Sequence, residues 1–471
     1  MTELSRRTLL QAGACGFGGL ASSALLGQTA LGQSSGRDGS ALHHMPKAKR
    51  IIFLFMQGGV SQVDSFDYKP TLAKRDGETL AFDDARVAAK TGMLASEHRL
   101  MKSPWKFKQY GESGHHVSEL FPETAQHVDD LCFLHAMHTE GVAHGPATLF
   151  LHCGATNFIR PSVGSWVLYG LGRENDSLPG FVSIAPSIGN GGPRNYGSAF
   201  LPAEFQGTRI GGADNKELVL DSLTRSDISA AEQRAQLDLL SSLNLAQFSA
   251  REYQSSELEA AMKSYELAGR MQQVAPSVMD LSTESADTLS MYGIDSPETE
   301  TYGKRCLLAR RLCESGVRFI QVNYGDNSAN PAWDQHSNLP KHATHAKAVD
   351  RPISGLLTDL KQRGLLEDTI VWWGGEFGRT PYAQANGTGR DHNPGGFTVW
   401  LAGGGFKPGY SHGETDPFGF QGISGKVHMH DLHATLLHQL GLDHKRLTYS
   451  YAGRDFRLTD VHGRVVKSVL S

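Results

Sequence analysis

With 471 residues, 39% of them hydrophobic and 20% charged, the chain is long enough for one large α/β domain with a buried core. A net charge of -4 excludes the strongly basic balance of general nucleic-acid or membrane-surface binders. The five cysteines, Cys15, Cys132, Cys153, Cys306 and Cys313, show neither CxxC spacing nor the density of a disulfide framework, which argues against a zinc–thiolate site.

Residues 5–11, SRRTLLQ, set Arg6 and Arg7 ahead of AGACGFGGLASSALLG and a small-residue stretch ending in ALGQ. Charged, then modestly apolar, then small residues is the order of an export signal, and the arginine pair specifies the twin-arginine route. Residues 1–32 are therefore read as a Tat signal peptide. The expected partner during export is the Tat translocase, and the expected destination is periplasmic or extracellular. No later stretch reaches the ~18 apolar residues of a membrane span, so no stable membrane insertion is expected.

The run RIIFLFM at 50–56 stops at Gln57-Gly58-Gly59 and predicts a buried first strand. SELFPETAQHVDDL (118–131) reads as a helix and CFLHAMH (132–138) as a strand. GPATLFLHCG and SVGSWVLYGLG read as helices, and FVSIA (181–185) as a strand. From about 214 to 292 the chain turns polar and helical, which predicts a helical insertion. Alternation then returns: GKRCLLARRLCESG as helix, VRFIQVNYG (317–325) as strand, HAKAVDRPISGLLTDLKQRGLL as a long amphipathic helix and TIVWWGG (369–375) as strand. FTVWLAGGG (397–405) is a further strand, and MHDLHATLLHQLGL (429–442) a late helix. Helices alternating with apolar strands predict an α/β domain, a mainly parallel sheet sandwiched by helices, over residues 48–465.

Ligands of open α/β sheets bind beyond the carboxyl ends of the strands. Those ends carry Gln57, Ser61 and Asp64 after the first strand, His144 after the second, and Asp334 and His336 after VRFIQVNYG. Glu376 and Arg379 follow TIVWWGG, and Asp391 and His392 precede FTVWLAGGG. Carboxylates and imidazoles gathered on one sheet edge suit a divalent metal such as zinc, calcium or magnesium. The dense C-terminal histidines, among them His428, His430, His433 and His438, are assigned to core or surface roles.

At this point the order of segments becomes recognisable. RPISGLLTDLKQRGLLEDTIVWWGGEFGRTP resembles the sulfatase segment that leads into a metal-binding strand end. HDLHATLLHQLGLDHKRLTYSYAGRD resembles a later sulfatase segment, and ELFPETAQHVDDLCFLHAMHTEGVAHGPATLFLHCG the stretch that carries the sulfatase nucleophile. The chain thus resembles the alkaline phosphatase–sulfatase superfamily. MQGGVSQVDSFDYKP, GGEFGRTP and GRDHNPGGFTVWLAGGG resemble an exported bacterial family of unassigned activity within it. The resemblance implies an ester hydrolase acting on sulfate or phosphate esters of small molecules or polysaccharides.

The departures shape the expected site. Gln57 and Gly58 stand where sulfatases carry metal-binding aspartates, with Asp64 the substitute if the loop folds back. His144 takes the nucleophile's place, so formylglycine cannot form there. Glu376-Phe377 replaces a metal-binding Asp-His pair, and His392 stands where the last metal-binding histidine belongs. The expected metal ligands are Asp334, His336, Glu376 and His392. His144 is expected as ligand or general acid, and Arg379 as the group that neutralises an anionic substrate through its guanidinium fork. The competing reading is a non-catalytic binding or scaffold protein on the same fold.

Overall fold

The structure is a computed structural model that describes residues 42–82, 97–215, 217–220, parts of 232–243, 256–384 and 387–471. The expected signal at 1–32 lies outside the described residues.

A nine-stranded sheet organises the chain. Its strands are β1 (Arg50–Met56), β2 (Leu131–His138), β3 (Phe181–Ile184), β4 (Thr208–Ile210), β5 (Phe319–Tyr324) and β6 (Thr369–Gly374). The hairpin β7 (Gly378–Ala383) and β8 (Arg390–Asn393) stands apart from that sheet. The sheet is completed by β9 (Phe397–Ala402), β10 (Tyr410–His412) and β11 (Val427–His428). The spatial order is β10-β2-β9-β6-β1-β5-β3-β4, with β11 also on β2. β6 and β5 flank β1 in parallel, β3 and β4 continue in parallel, and only β9 runs antiparallel to its neighbours. The mainly parallel sheet expected from the sequence is thus present, with one reversed strand inside it.

Period-two alternation divides the strands between two cores. Ile52, Leu54 and Met56 of β1 join Ile320, Val322, Val371 and Trp373 on one face. Helices α4 (Glu300–Glu314) and α5 (Lys341–Gln362) cover that face through Leu307, Leu308, Ile353 and Leu356. Ile51, Phe53 and Phe55 face the other way, with Phe319, Ile370 and Trp372. There α1 (His144–Cys153), α2 (Val163–Leu171) and α6 (Met429–Gln439) bring Phe150, Trp166 and Leu436. Both faces are buried, so the strands read as continuous apolar runs. Trp166, 1% exposed, is one anchor of this second core; Trp166→Ala would cost about 3–5 kcal/mol.

Cys306 and Cys313 on α4 are buried and free, as are Cys132 and Cys153. Of the expected insertion at 214–292, the described part includes α3 (Ser256–Met279) and a short helix at Ala286–Met291. The segment 118–131 corrects the sequence reading. His115–Ser118 pairs as a strand with Phe107–Tyr110, and Thr124–Asp130 is a 3₁₀ helix rather than an α-helix. Asp350 of α5 accepts the N–H groups of Glu123 and Thr124, both at 2.8 Å, and so fixes where that turn begins.

Candidate metal centre

The turn after β1 sets the floor of the site. Gly58 has φ +111°, and a Cβ there would stand 2.2 Å from the Pro331 carbonyl oxygen. Only glycine fits this approach. The turn therefore packs against the loop that follows β5, where Trp333 is fully buried and donates its N–H to the Gln57 carbonyl at 3.2 Å. That anchor places Asp334 beneath the sheet edge. The β7–β8 hairpin pairs Arg379 with His392 across its strands and brings both against Asp334. His144 arrives from a third direction, as the first residue of α1.

One ligand atom from each of His144, Asp334, His336 and His392 lies within 4.8 Å of the other three. His336 Nε2 is 2.9 Å and His392 Nε2 3.3 Å from Asp334 Oδ1, and the two imidazole nitrogens are 3.0 Å apart. His144 Nε2 is 3.2 Å from Asp334 Oδ2 but lacks the alignment of a hydrogen bond. Ligands about 2.0–2.1 Å from a tetrahedral zinc stand roughly 3.3 Å from one another, close to the spacings of His336, His392 and Asp334 Oδ1, while His144 approaches through the other carboxylate oxygen.

The opposite ring nitrogens are all held by oxygen. His392 Nδ1 donates to the Val142 carbonyl at 2.9 Å. His336 Nδ1 faces Gln384 Oε1 at 2.8 Å and Asp391 Oδ1 at 3.5 Å. His144 Nδ1 donates to Glu376 Oε1 at 2.6 Å. A neutral imidazole that donates from Nδ1 presents a bare lone pair at Nε2. In that neutral tautomer three lone pairs and a carboxylate point at one another, an arrangement that repels itself unless a cation sits among them. The donor set fits a metal ion on this observation.

Burial would push the Asp334 carboxyl up, but its close contacts with His144, His336 and His392 and the Arg379 charge hold it well below the usual range. Burial drives His392 well below the ordinary histidine value despite its contact with Asp334. His144 moves the other way: burial lowers it, but Asp334 and Glu376 together outweigh burial and leave it raised. Burial is also the main force lowering the Arg379 pKa, opposed by Asp334.

Three expected roles need correction. Glu376 is not among the converging atoms; it lies behind His144 and takes the Gly58 N–H on both oxygens, at 3.0 and 3.2 Å. Arg379 does not face a substrate. It is fully buried and bonds Asp334 Oδ1 at 2.7 Å, the Gly59 carbonyl at 3.0 Å, the Arg390 carbonyl at 3.2 Å and the Gly58 carbonyl. Asp64 does not fold back onto the metal position. It accepts Arg390 at 2.7 and 3.1 Å and Ser61 Oγ at 2.5 Å. Gln57 is buried beside Gly325 and takes no part in the cluster, and Asp391 stands behind His336. Sequence reasoning missed Gln384 and the Val142 carbonyl. No motif marks either one: a backbone carbonyl carries no side-chain signal, and a lone glutamine beyond a strand is not distinguished from any other polar residue.

The profile of the family described as protein of unknown function (DUF1501) matches residues 48–470. The chain belongs to the DUF1501 family. This DUF1501 protein is also similar to several solved structures. The alkaline phosphatase from the Antarctic bacterium TAB5 is 11% identical over 84% of this chain and 98% of its own, with a TM-score of 0.33. The PsFucS1 sulfatase from Pseudoalteromonas sp. is 12% identical over 84% and 68%, with a TM-score of 0.36. A protein in the alkaline phosphatase superfamily from Vibrio parahaemolyticus is 10% identical over 86% and 69%, with a TM-score of 0.37. No curated protein matches the DUF1501 chain. None of its described helices is long and apolar enough to cross a membrane.

Proposed function

We propose that His144, Asp334, His336 and His392 hold one divalent metal ion, and that this centre hydrolyses phosphate or sulfate esters outside the cytoplasm. The observation that carries the reading is the common orientation of the three imidazoles: each Nδ1 faces an oxygen acceptor, and each Nε2 turns toward Asp334. Three nitrogens and one oxygen favour zinc over calcium or magnesium, which take oxygen ligands.

A bound zinc would supply an activated water and polarise an ester oxygen. The chain's own residues do the rest. Arg379 holds Asp334 in place and offsets its charge from behind. The His336 side chain is 23% exposed, against 8% or less for the other three, so substrate and water enter on its side. The sequence resemblance to phosphatases and sulfatases supports the ester class. Arg6 and Arg7 support export by the twin-arginine route.

One observation favours a second reading. Four protein groups converge, enough to fill every position of a bound zinc as in structural sites, whereas catalytic sites keep a position open. The two readings separate on protein purified without chelators. One zinc per chain, with aryl phosphate or aryl sulfate turnover lost on chelation and restored by zinc, supports the hydrolase. Bound zinc without turnover supports the structural role. Absence of zinc uptake from micromolar solution refutes both, as does full uptake by His336→Ala together with His392→Ala.

A further inference from the structure

Glu376 is a buried carboxylate in direct contact with a proposed ligand, His144, yet it is not itself a ligand in the metal reading. It is fully buried, its oxygens meet His144 Nδ1 and the Gly58 N–H, and it contributes no atom to the converging set. We infer that Glu376 is a positioning residue: it selects the tautomer and the orientation of His144 for the metal. The inference rests on the metal reading above.

His144 opens α1, and the preceding Ala143 has no side chain able to cap that helix end. The ring is therefore steered by what its Nδ1 meets. At 2.6 Å from a carboxylate oxygen, Nδ1 must carry the proton, because the other tautomer would set a lone pair against an anion. Nε2 is then the nitrogen that faces Asp334 Oδ2, 3.2 Å away, and the one that would give its lone pair to an ion held between them. Glu376 is itself pinned by the Gly58 N–H, in a turn that has no space for a Cβ. One side chain thus ties three segments to one ligand: the turn after β1, the end of β6 and the start of α1. An anionic partner also makes the imidazole a stronger donor.

Charge and position can be tested apart. In Glu376→Gln the remaining carbonyl oxygen can still serve both His144 Nδ1 and the Gly58 N–H, since Oε1 lies 2.6 and 3.0 Å from them. That variant loses the charge and the longer of the two Gly58 N–H contacts, the one to Oε2. Glu376→Leu loses the charge and all of these contacts. The experiment measures Zn²⁺ affinity by chelator competition and the absorption spectrum of the Co²⁺-loaded protein, with circular dichroism to establish folding. Glu376→Gln is expected to weaken zinc binding about 10-fold with a wild-type cobalt spectrum, and Glu376→Leu up to about 100-fold with an altered spectrum. Wild-type affinity and spectrum in folded Glu376→Leu overturn the inference. If that variant does not fold, wild-type affinity in Glu376→Gln overturns it. A wild-type protein that takes up no zinc overturns the metal reading, and this role with it. A wild type that binds zinc beside unaffected variants overturns the role of Glu376 alone.

Discussion

Acid should destabilise this protein through two histidines remote from the metal centre. His433 is fully buried on α6, and its Nε2 donates to the Leu151 carbonyl at 2.8 Å. His152 is 3% exposed on α1, packs beside Phe53 and Phe55, and donates from Nδ1 to the Thr148 carbonyl at 2.8 Å. Burial pushes both pKa values down to about 4. The sign follows from linkage. A folded-state value below the unfolded ~6.5 means that the unfolded chain binds more protons, so stability is intact above that pH and falls as pH drops toward 4. At pH 5 each histidine costs about 2 kcal/mol relative to neutral pH, and the pair about 4 kcal/mol. Domains are stable by roughly 5–15 kcal/mol, so the loss is a large share. The assay is urea unfolding at pH 7.5 and 5.0 for wild type, His152→Asn, His433→Gln and the double variant. Each substitution should remove about 2 kcal/mol of the pH dependence, because an amide does not titrate. The metal site's own proton dependence is common to all four proteins and cancels. Equal pH dependence in wild type and double variant would refute the reasoning.

Arg379→Met should lower stability by about 3–5 kcal/mol, because it leaves Asp334 without its cation and two turn carbonyls without a donor; an unchanged melting temperature would show that the guanidinium is dispensable. Gly58→Ala should cost at least about 2 kcal/mol, from strain at φ +111° and the clash with Pro331, and should weaken zinc binding by displacing the N–H that holds Glu376. Wild-type melting and affinity in that variant would contradict the packing of the turn. Arg6→Lys with Arg7→Lys should leave the precursor in the cytoplasm, as read by fractionation; normal export of the double variant would exclude the twin-arginine route.

Much of the sheet was legible from sequence alone. Runs such as RIIFLFM and TIVWWGG are apolar on both faces, which only doubly covered strands require, and each ends at the glycines that let the chain turn. The reversed direction of β9 was not legible, because FTVWLA has the same burial pattern whichever way it runs. The segment 118–131 misled for a related reason: its apolar positions suit a helix, but pairing of His115–Ser118 and the capping of Thr124 by Asp350 come from residues far away in the chain.

The site divides in the same way. Sequence determined which chemistry was available, since strand ends rich in histidine and carboxylate can be identified one segment at a time. Asp334, His336, His392 and His144 were all named on that basis, and the fold brings them together. What each group does was decided by tertiary structure alone. Glu376 and Arg379 stand at strand ends as a ligand and a substrate-binding cation would, yet both point inward, to His144 and to Asp334. The physical reason is that a ligand role depends on the direction of a lone pair to within a few tenths of an ångström. That direction is set by partners such as the Val142 carbonyl and the Gly58 N–H, which are backbone groups from other segments that every residue type except proline carries alike.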